Sequence, residues 1–153
     1  MSKVPLIDPQ AFQDARIALS DAIRQTPVVR SPTLEAQAGA PVLLKLEHTQ
    51  TTGSFKLRGA SNAVANLTDR QKRNGVVGAS TGNHGRGLAY AARAAGVPCV
   101  ICMSDLVPQT KIDGIRAQGA EVRIIGHSQD DAQEEVERLV AEKGMTMIPP
   151  FDH

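Results

Sequence analysis

At 153 residues the chain has the length of about one domain, and its 17 Lys and Arg against 16 Asp and Glu leave a formal charge of +1, which provides neither a basic nucleic-acid platform nor an acidic tail. With 41% hydrophobic and 22% charged residues the composition is globular; with no Trp, one Tyr and three Phe, the core must come from Ala, Val, Leu and Ile, and little aromatic surface is left for stacking bases. Two cysteines are too few for a disulfide-stapled secreted scaffold, the opening MSKVPLIDPQAF has no apolar signal region, and the densest apolar run, 97–103, is broken by Pro98 and too short to cross a bilayer. A cytoplasmic chain with no nucleic-acid or membrane partner is the expectation.

In chain order, Asp8 followed by Pro9 predicts a helix opening there and running to about Arg24. Residues 28–29 and 42–47 read as short strands, and Ser54 as the cap of a helix over 56–67. The polar stretch TDRQKRN, 68–74, reads as a link between two units. From Gly75 the pattern becomes regular: a buried strand at 76–80, a small-residue helix at 83–95, a strand at 98–103, a helix near 108–118, a strand at 121–125, a polar helix at 128–143 between Ser128 as cap and Gly144 as stop, and a last strand at 145–148. Strands alternating with helices of this length predict βαβ units, an α/β fold and a parallel sheet.

Two stretches carry chemistry. In TTGSFKLRGA, 51–60, Lys56 falls in the first turn of a predicted helix, where the positive end of the helix dipole and the nearby Arg58 both disfavour an ammonium. A neutral amine is what Schiff-base formation requires. A lysine reaching out to water is the plain alternative.

In the second stretch, the strand VVGAS runs into STGNHGRG, 80–87, and then into a helix. A loop of glycines and hydroxyls at that junction offers backbone N–H groups to an anion, a carboxylate or a phosphate, and Ser80, Thr81 and Asn83 add side-chain donors. The glycines at 82, 85 and 87 fit neither the dinucleotide spacing nor a Walker loop. The alternative is a helix start whose glycines only permit close packing. His84, in the same loop, is a candidate base or an orienting residue.

The remaining candidates are bland. Cys99 and Cys102 are three apart on one predicted strand, so they point to opposite faces and cannot share a metal. His48, His127 and His153 have no second ligand at useful spacing. The acidic residues from Asp130 to Glu137 make a solvated helix face.

Taken together, KLEHTQTTGSFKLRGA (45–60) and STGNHGRG closely resemble the pyridoxal-phosphate enzymes of the threonine/serine dehydratase family, the fold-type-II group that includes serine racemase. The later segment, from Cys102 to Val140, is most similar to the hydroxyectoine-utilisation branch. The resemblance implies a tryptophan synthase β-like fold, with 1–74 opening a large cofactor-binding domain and 75–150 forming a small α/β domain. It implies that Lys56 holds pyridoxal phosphate as a Schiff base and later moves the substrate Cα proton, that Phe55 packs on the cofactor ring, and that Asn83 bonds the ring's phenolic oxygen. Ser80, Thr81, Gly82, Asn83 and His84 would clasp the substrate carboxylate. The residue aligned with Thr81 in serine racemase is a serine acting on the opposite face, and the methyl of Thr81 weighs against racemisation.

The implied reaction is β-elimination from L-threonine, L-serine or a β-hydroxy amino acid derived from hydroxyectoine, giving a 2-oxo acid and ammonia in a protein expected to be a homodimer. Family members run to about twice this length and carry their glycine-rich phosphate cradle in the second half. The 153-residue chain alone is therefore expected to show little or no dehydratase activity. A non-catalytic small-domain protein, a racemase-type parent and a generic nucleotide-binding domain are the alternatives.

Overall fold

The computed structural model describes residues 8–151; the expectations for the leader segment and for His153 fall wholly or partly outside them. Helix α1 (Pro9–Ala18) begins where expected, with Asp8 Oδ1 accepting from the Gln10 amide and Pro9 in the first turn, but it stops short of Arg24. Leu19 turns into the core, and its carbonyl accepts from the Ala22 and Ile23 amides, ending the helix in tighter turns. Strands β1 (Val28–Arg30) and β2 (Leu43–Lys45) pair antiparallel, Val28 opposite Lys45. Between them lies α2 (Pro32–Ala38), a helix with no counterpart in the sequence reading.

Helix α3 (Lys56–Ala65) buries Leu57, Ala60, Ser61 and Val64, the i, i+3, i+4, i+7 stripe of an amphipathic helix, together with Ala63. The polar stretch expected to be a link is instead α4 (Asp69–Asn74). Thr68 and Gln71 close a capping box around its first turn, which satisfies two otherwise orphaned donors.

The regular half follows the expected order: β3 (Val76–Ala79), α5 (Asn83–Ala94), β4 (Cys99–Met103), α6 (Gln109–Arg116), β5 (Glu121–Ile124), α7 (Gln129–Lys143) and β6 (Thr146–Met147). The four strands form a parallel sheet in the order β5-β4-β3-β6. Side chains alternate across it. Val76, Cys99, Ile101 and Met103 face one core together with α3, α5 and α6, whereas Val77, Ala79, Val100 and Cys102 face a second core closed by Ala132, Val136 and Leu139 of α7. Cys99 and Cys102 thus belong to opposite cores, and burial pushes their thiols up to about 12 and about 11. Among the described residues no group of three or more His, Cys, Asp and Glu could hold a metal ion, and no helix is long and apolar enough to cross a membrane.

Candidate functional site

Lys56 opens α3, and Ser54 Oγ accepts its backbone N–H at 3.1 Å, the capping role expected of that serine. Its side chain enters a cleft of about 270 Å³ walled by Phe55, Ala60, Ala63, His84, Ile148 and Pro149. There Nζ donates to the Pro150 carbonyl at 2.6 Å and stands 5.5 Å from the Phe55 ring centroid and 4.5 Å from that of Phe151. These are contacts that suit an ammonium.

Arg58 does not act on Lys56 in the way its sequence position predicts. Its guanidinium turns away into a two-pronged pair with Glu47, Nε to Oε2 at 2.9 Å and Nη2 to Oε1 at 2.8 Å. Arg58 foremost, with Thr26 Oγ1 donating at 2.6 Å, pulls the Glu47 carboxyl down to about 2 against a counter-push from burial. The positive charge beside the lysine is therefore neutralised by a partner eleven residues away. This pair ties α3 to the turn after β2.

The loop after β3 is built around Ser80, which is buried and whose Oγ accepts the amide N–H of Gly82 at 3.2 Å and of Gly85 at 2.8 Å. The Thr81, Asn83 and His84 amides find no acceptor among the described residues. They are the unpaired donors that the first turn of α5 leaves pointing outward. Thr81 is exposed and Asn83 is exposed.

His84 is 7% exposed, and its Nε2 lies 2.9 Å from the Ile148 carbonyl. Burial holds its pKa below the ordinary value, outweighing the carbonyl contact, and the charge of Lys56 adds to the lowering. The ring is accordingly neutral near pH 7, with the proton on Nε2 donated to Ile148 O.

The candidates thus divide. Phe55, Lys56 and His84 share one cleft, whereas Gly82 and Asn83 line a second, of about 320 Å³, with Arg86 and Lys111. Ser80 and Thr81 line neither cleft. Sequence reasoning missed the Pro150 carbonyl, the Phe151 ring and the Glu47–Arg58 pair, all of which are contacts between residues distant in the chain. His127, read as bland, places Nδ1 2.7 Å from Asp105 Oδ2, which raises its pKa and joins the loops after β4 and β5.

The chain as a whole is similar to known proteins. The chain is 54% identical, over its whole length, to a protein of Sinorhizobium fredii that carries a provisional threonine dehydratase name, and covers 46% of it. It is 39% identical over 142 residues to a catabolic L-threonine dehydratase of Staphylococcus aureus, matching 92% of this chain and 41% of that one. Among solved structures, serine racemase from Dictyostelium discoideum superposes with a TM-score of 0.86 at 32% identity, over 94% of this chain and 47% of the other. The chain spans about half the length of the curated relatives it matches. Its α/β architecture is that of the fold-type-II enzymes. The model of the family described as "Pyridoxal-phosphate dependent enzyme" matches residues 19–153, taking in the Lys56 cleft, the Ser80 loop and the whole four-stranded sheet, and the chain belongs to that family.

Proposed function

We propose that this chain supplies the lysine and the carboxylate loop of an enzyme that eliminates the β-hydroxyl of L-threonine, L-serine or a related β-hydroxy amino acid, releasing a 2-oxo acid and ammonia. The observation that carries the reading is the placement of Lys56 Nζ in an apolar-walled cleft between two ring faces, beside the open amides of the Ser80 loop. That donor set fits pyridoxal phosphate: a primary amine for the aldehyde, and the Phe55 ring for the flat face of the pyridine. When bound, the cofactor supplies an electron sink for the negative charge left at Cα.

The chain's own residues do the rest. Lys56 Nζ would hold the cofactor through its aldehyde and, as a free amine, would take the substrate Cα proton. The Thr81, Asn83 and His84 amides receive the substrate carboxylate, and Ser80 Oγ keeps the loop in shape by fixing Gly82 and Gly85. Asn83 is the proposed partner of the cofactor's phenolic oxygen. Neutral His84 binds Ile148 rather than moving a proton, and so keeps a second cation away from Lys56. The methyl of Thr81 restricts its hydroxyl, which favours elimination over proton return on the opposite face. Residues 1–74 as the opening of a large domain, 75–150 as the small domain, a homodimeric longer parent in the cytoplasm, and a substrate derived from hydroxyectoine complete the proposal.

The test is to mix the chain with pyridoxal phosphate, reduce with borohydride, and map the adduct by peptide mass. Label confined to Lys56, and lost in Lys56→Ala, is the expected result. Label scattered over the surface lysines overturns the assignment.

A further inference from the structure

Pro149, Pro150 and Phe151 form a short strap over the mouth of the Lys56 cleft. One end of the strap is fixed. Ile148 is 2% exposed, its N–H donates to the Val77 carbonyl at 2.9 Å, and its own carbonyl faces His84 Nε2 at 2.9 Å. The two prolines that follow have a locked φ and no N–H to donate, so the strap is stiff and has few ways of bonding to the sheet. Its other end rests on the lysine. The bond from Lys56 Nζ to the Pro150 carbonyl, 2.6 Å long, is the one hydrogen bond that 149–151 make among the described residues.

The Phe151 ring stands 4.5 Å from Nζ while the residue remains 73% exposed. An apolar ring left in water that covers an amine is held there by the amine, through attraction of an ammonium to the ring face. With Phe55 at 5.5 Å and the Pro150 carbonyl also at Nζ, the positions around the nitrogen are taken by groups that favour the ammonium, whereas reaction with a carbonyl compound needs a free lone pair and an open approach. Exposed side chains change rotamer in picoseconds to nanoseconds, so swinging the ring aside is fast and its equilibrium, not its rate, governs how often Nζ is open.

We propose that the strap 149–151 is a gate on Lys56. Closed, it holds the ammonium between the Pro150 carbonyl and the two rings; open, with the Phe151 ring swung off, it admits an aldehyde to Nζ. Access to the amine is then scaled by the fraction of chains with the gate open. The gate presupposes the reading of Lys56 as the amine that takes an aldehyde, and adds what controls its availability.

The test is reductive methylation of the full 153-residue chain with limiting formaldehyde and cyanoborohydride, a probe that does not depend on cofactor binding. Nζ gives its proton to solvent and attacks the formaldehyde carbon, the oxygen leaves as water, and the borohydride delivers hydride to the carbon. Methylation at Lys56 is read by peptide mass against the exposed Lys111 and Lys143 of the same sample. Native Lys56 is expected to react more slowly than both. Phe151→Ala should speed Lys56 by about two- to fivefold, the factor that a cation–π contact at an exposed site is worth, and leave the reference lysines unchanged. Phe151→Tyr, which keeps the ring face, should restore the native rate. Lys56 reacting no faster in Phe151→Ala than in the native chain, or as fast in Phe151→Tyr as in Phe151→Ala, overturns the gate. Because the Phe151 ring lies in solvent, its removal leaves no core cavity, and circular dichroism of each variant checks that the fold is kept. The same variants are then labelled with pyridoxal phosphate. The expected order with formaldehyde but no label at Lys56 in any variant would uphold the gate and defeat the cofactor reading, and label at Lys56 at one rate in all of them would do the reverse.

Discussion

The backbone of Gly87 lies directly against that of Lys56: a Cβ on Gly87 would stand 3.2 Å from the Leu57 nitrogen and 3.3 Å from the Lys56 carbonyl carbon. The helix that carries the lysine and the helix that follows the Ser80 loop touch backbone to backbone, and the separation of the two chemical elements is set at that contact. Gly87→Ala is expected to cost about 1–3 kcal/mol, the usual range for overpacking, and to reduce borohydride-trapped label at Lys56. Gly59 is the internal control. It also lies in α3, yet nothing stands within 4 Å of where its Cβ would be. Gly59→Ala should raise stability by roughly 0.5–1 kcal/mol through helix propensity. Thermal melts of the two variants moving in the same direction would sink the argument.

Ser80 is the next point of leverage. Its Oγ accepts two amides that no other group among the described residues satisfies. Ser80→Ala is expected to cost about 1–2 kcal/mol, as loss of a buried capping hydroxyl does. Hydrogen exchange should accelerate at Gly82 and Gly85, with the α7 amides little changed. Uniform acceleration across the sheet would mean that the hydroxyl stabilises the domain rather than the loop.

Acid stability provides a third prediction. Glu47 is held down to about 2 chiefly by Arg58, and Glu135 to about 2 by Arg138 and then Arg123, against an ordinary value of 4.5. Because both values are lowered on folding, the stabilisation is complete above pH 4.5 and disappears as pH falls through 2. Glu47→Gln should therefore be less stable than the native chain at neutral pH, with the gap closing as the pH drops across that window. A constant gap from pH 7 to pH 2 would show that the pair does not govern the acid limb.

The fold of the second half was legible because each element there carries its own punctuation. Ser128 and Gly144 bracket α7, and the alternation in β4 correctly sent Cys99 and Cys102 to opposite cores. The first half was less legible, for two reasons. The Thr68-x-x-Gln71 capping signature lies in plain view in the stretch read as a link, but six residues without an apolar stripe concealed the helix. For α2 the local punctuation was present, Ser31-Pro32 at its start and a left-handed Gly39 at its end, but seven residues with none buried gave no apolar stripe; for the Glu47–Arg58 pair the determinant is tertiary, since Glu47 must fold back before Arg58 has a partner. The part of the Lys56 argument that rested on Arg58 failed for the same reason, because that guanidinium is paired with Glu47.

The thiols provide a fourth prediction. With burial raising both well above the range in which a thiolate forms, Cys99 and Cys102 should resist alkylation at pH 8 and react together, at the rate of unfolding. Fast modification of one of them in the folded chain would contradict the two-core assignment.

Strand β6 is two residues long, and the turn after it provides the acceptors for both His84 and Lys56, through Ile148 and Pro150. A ribosome delivers these acceptors some ninety residues after Lys56 itself, since the two ends of that contact are 94 positions apart. The lysine helix and the Ser80 loop are therefore made before the residues that fasten them, and β6 must slot in beside β3 to fix the position of the amine. Assembly of the cleft waits on the shortest of the described strands.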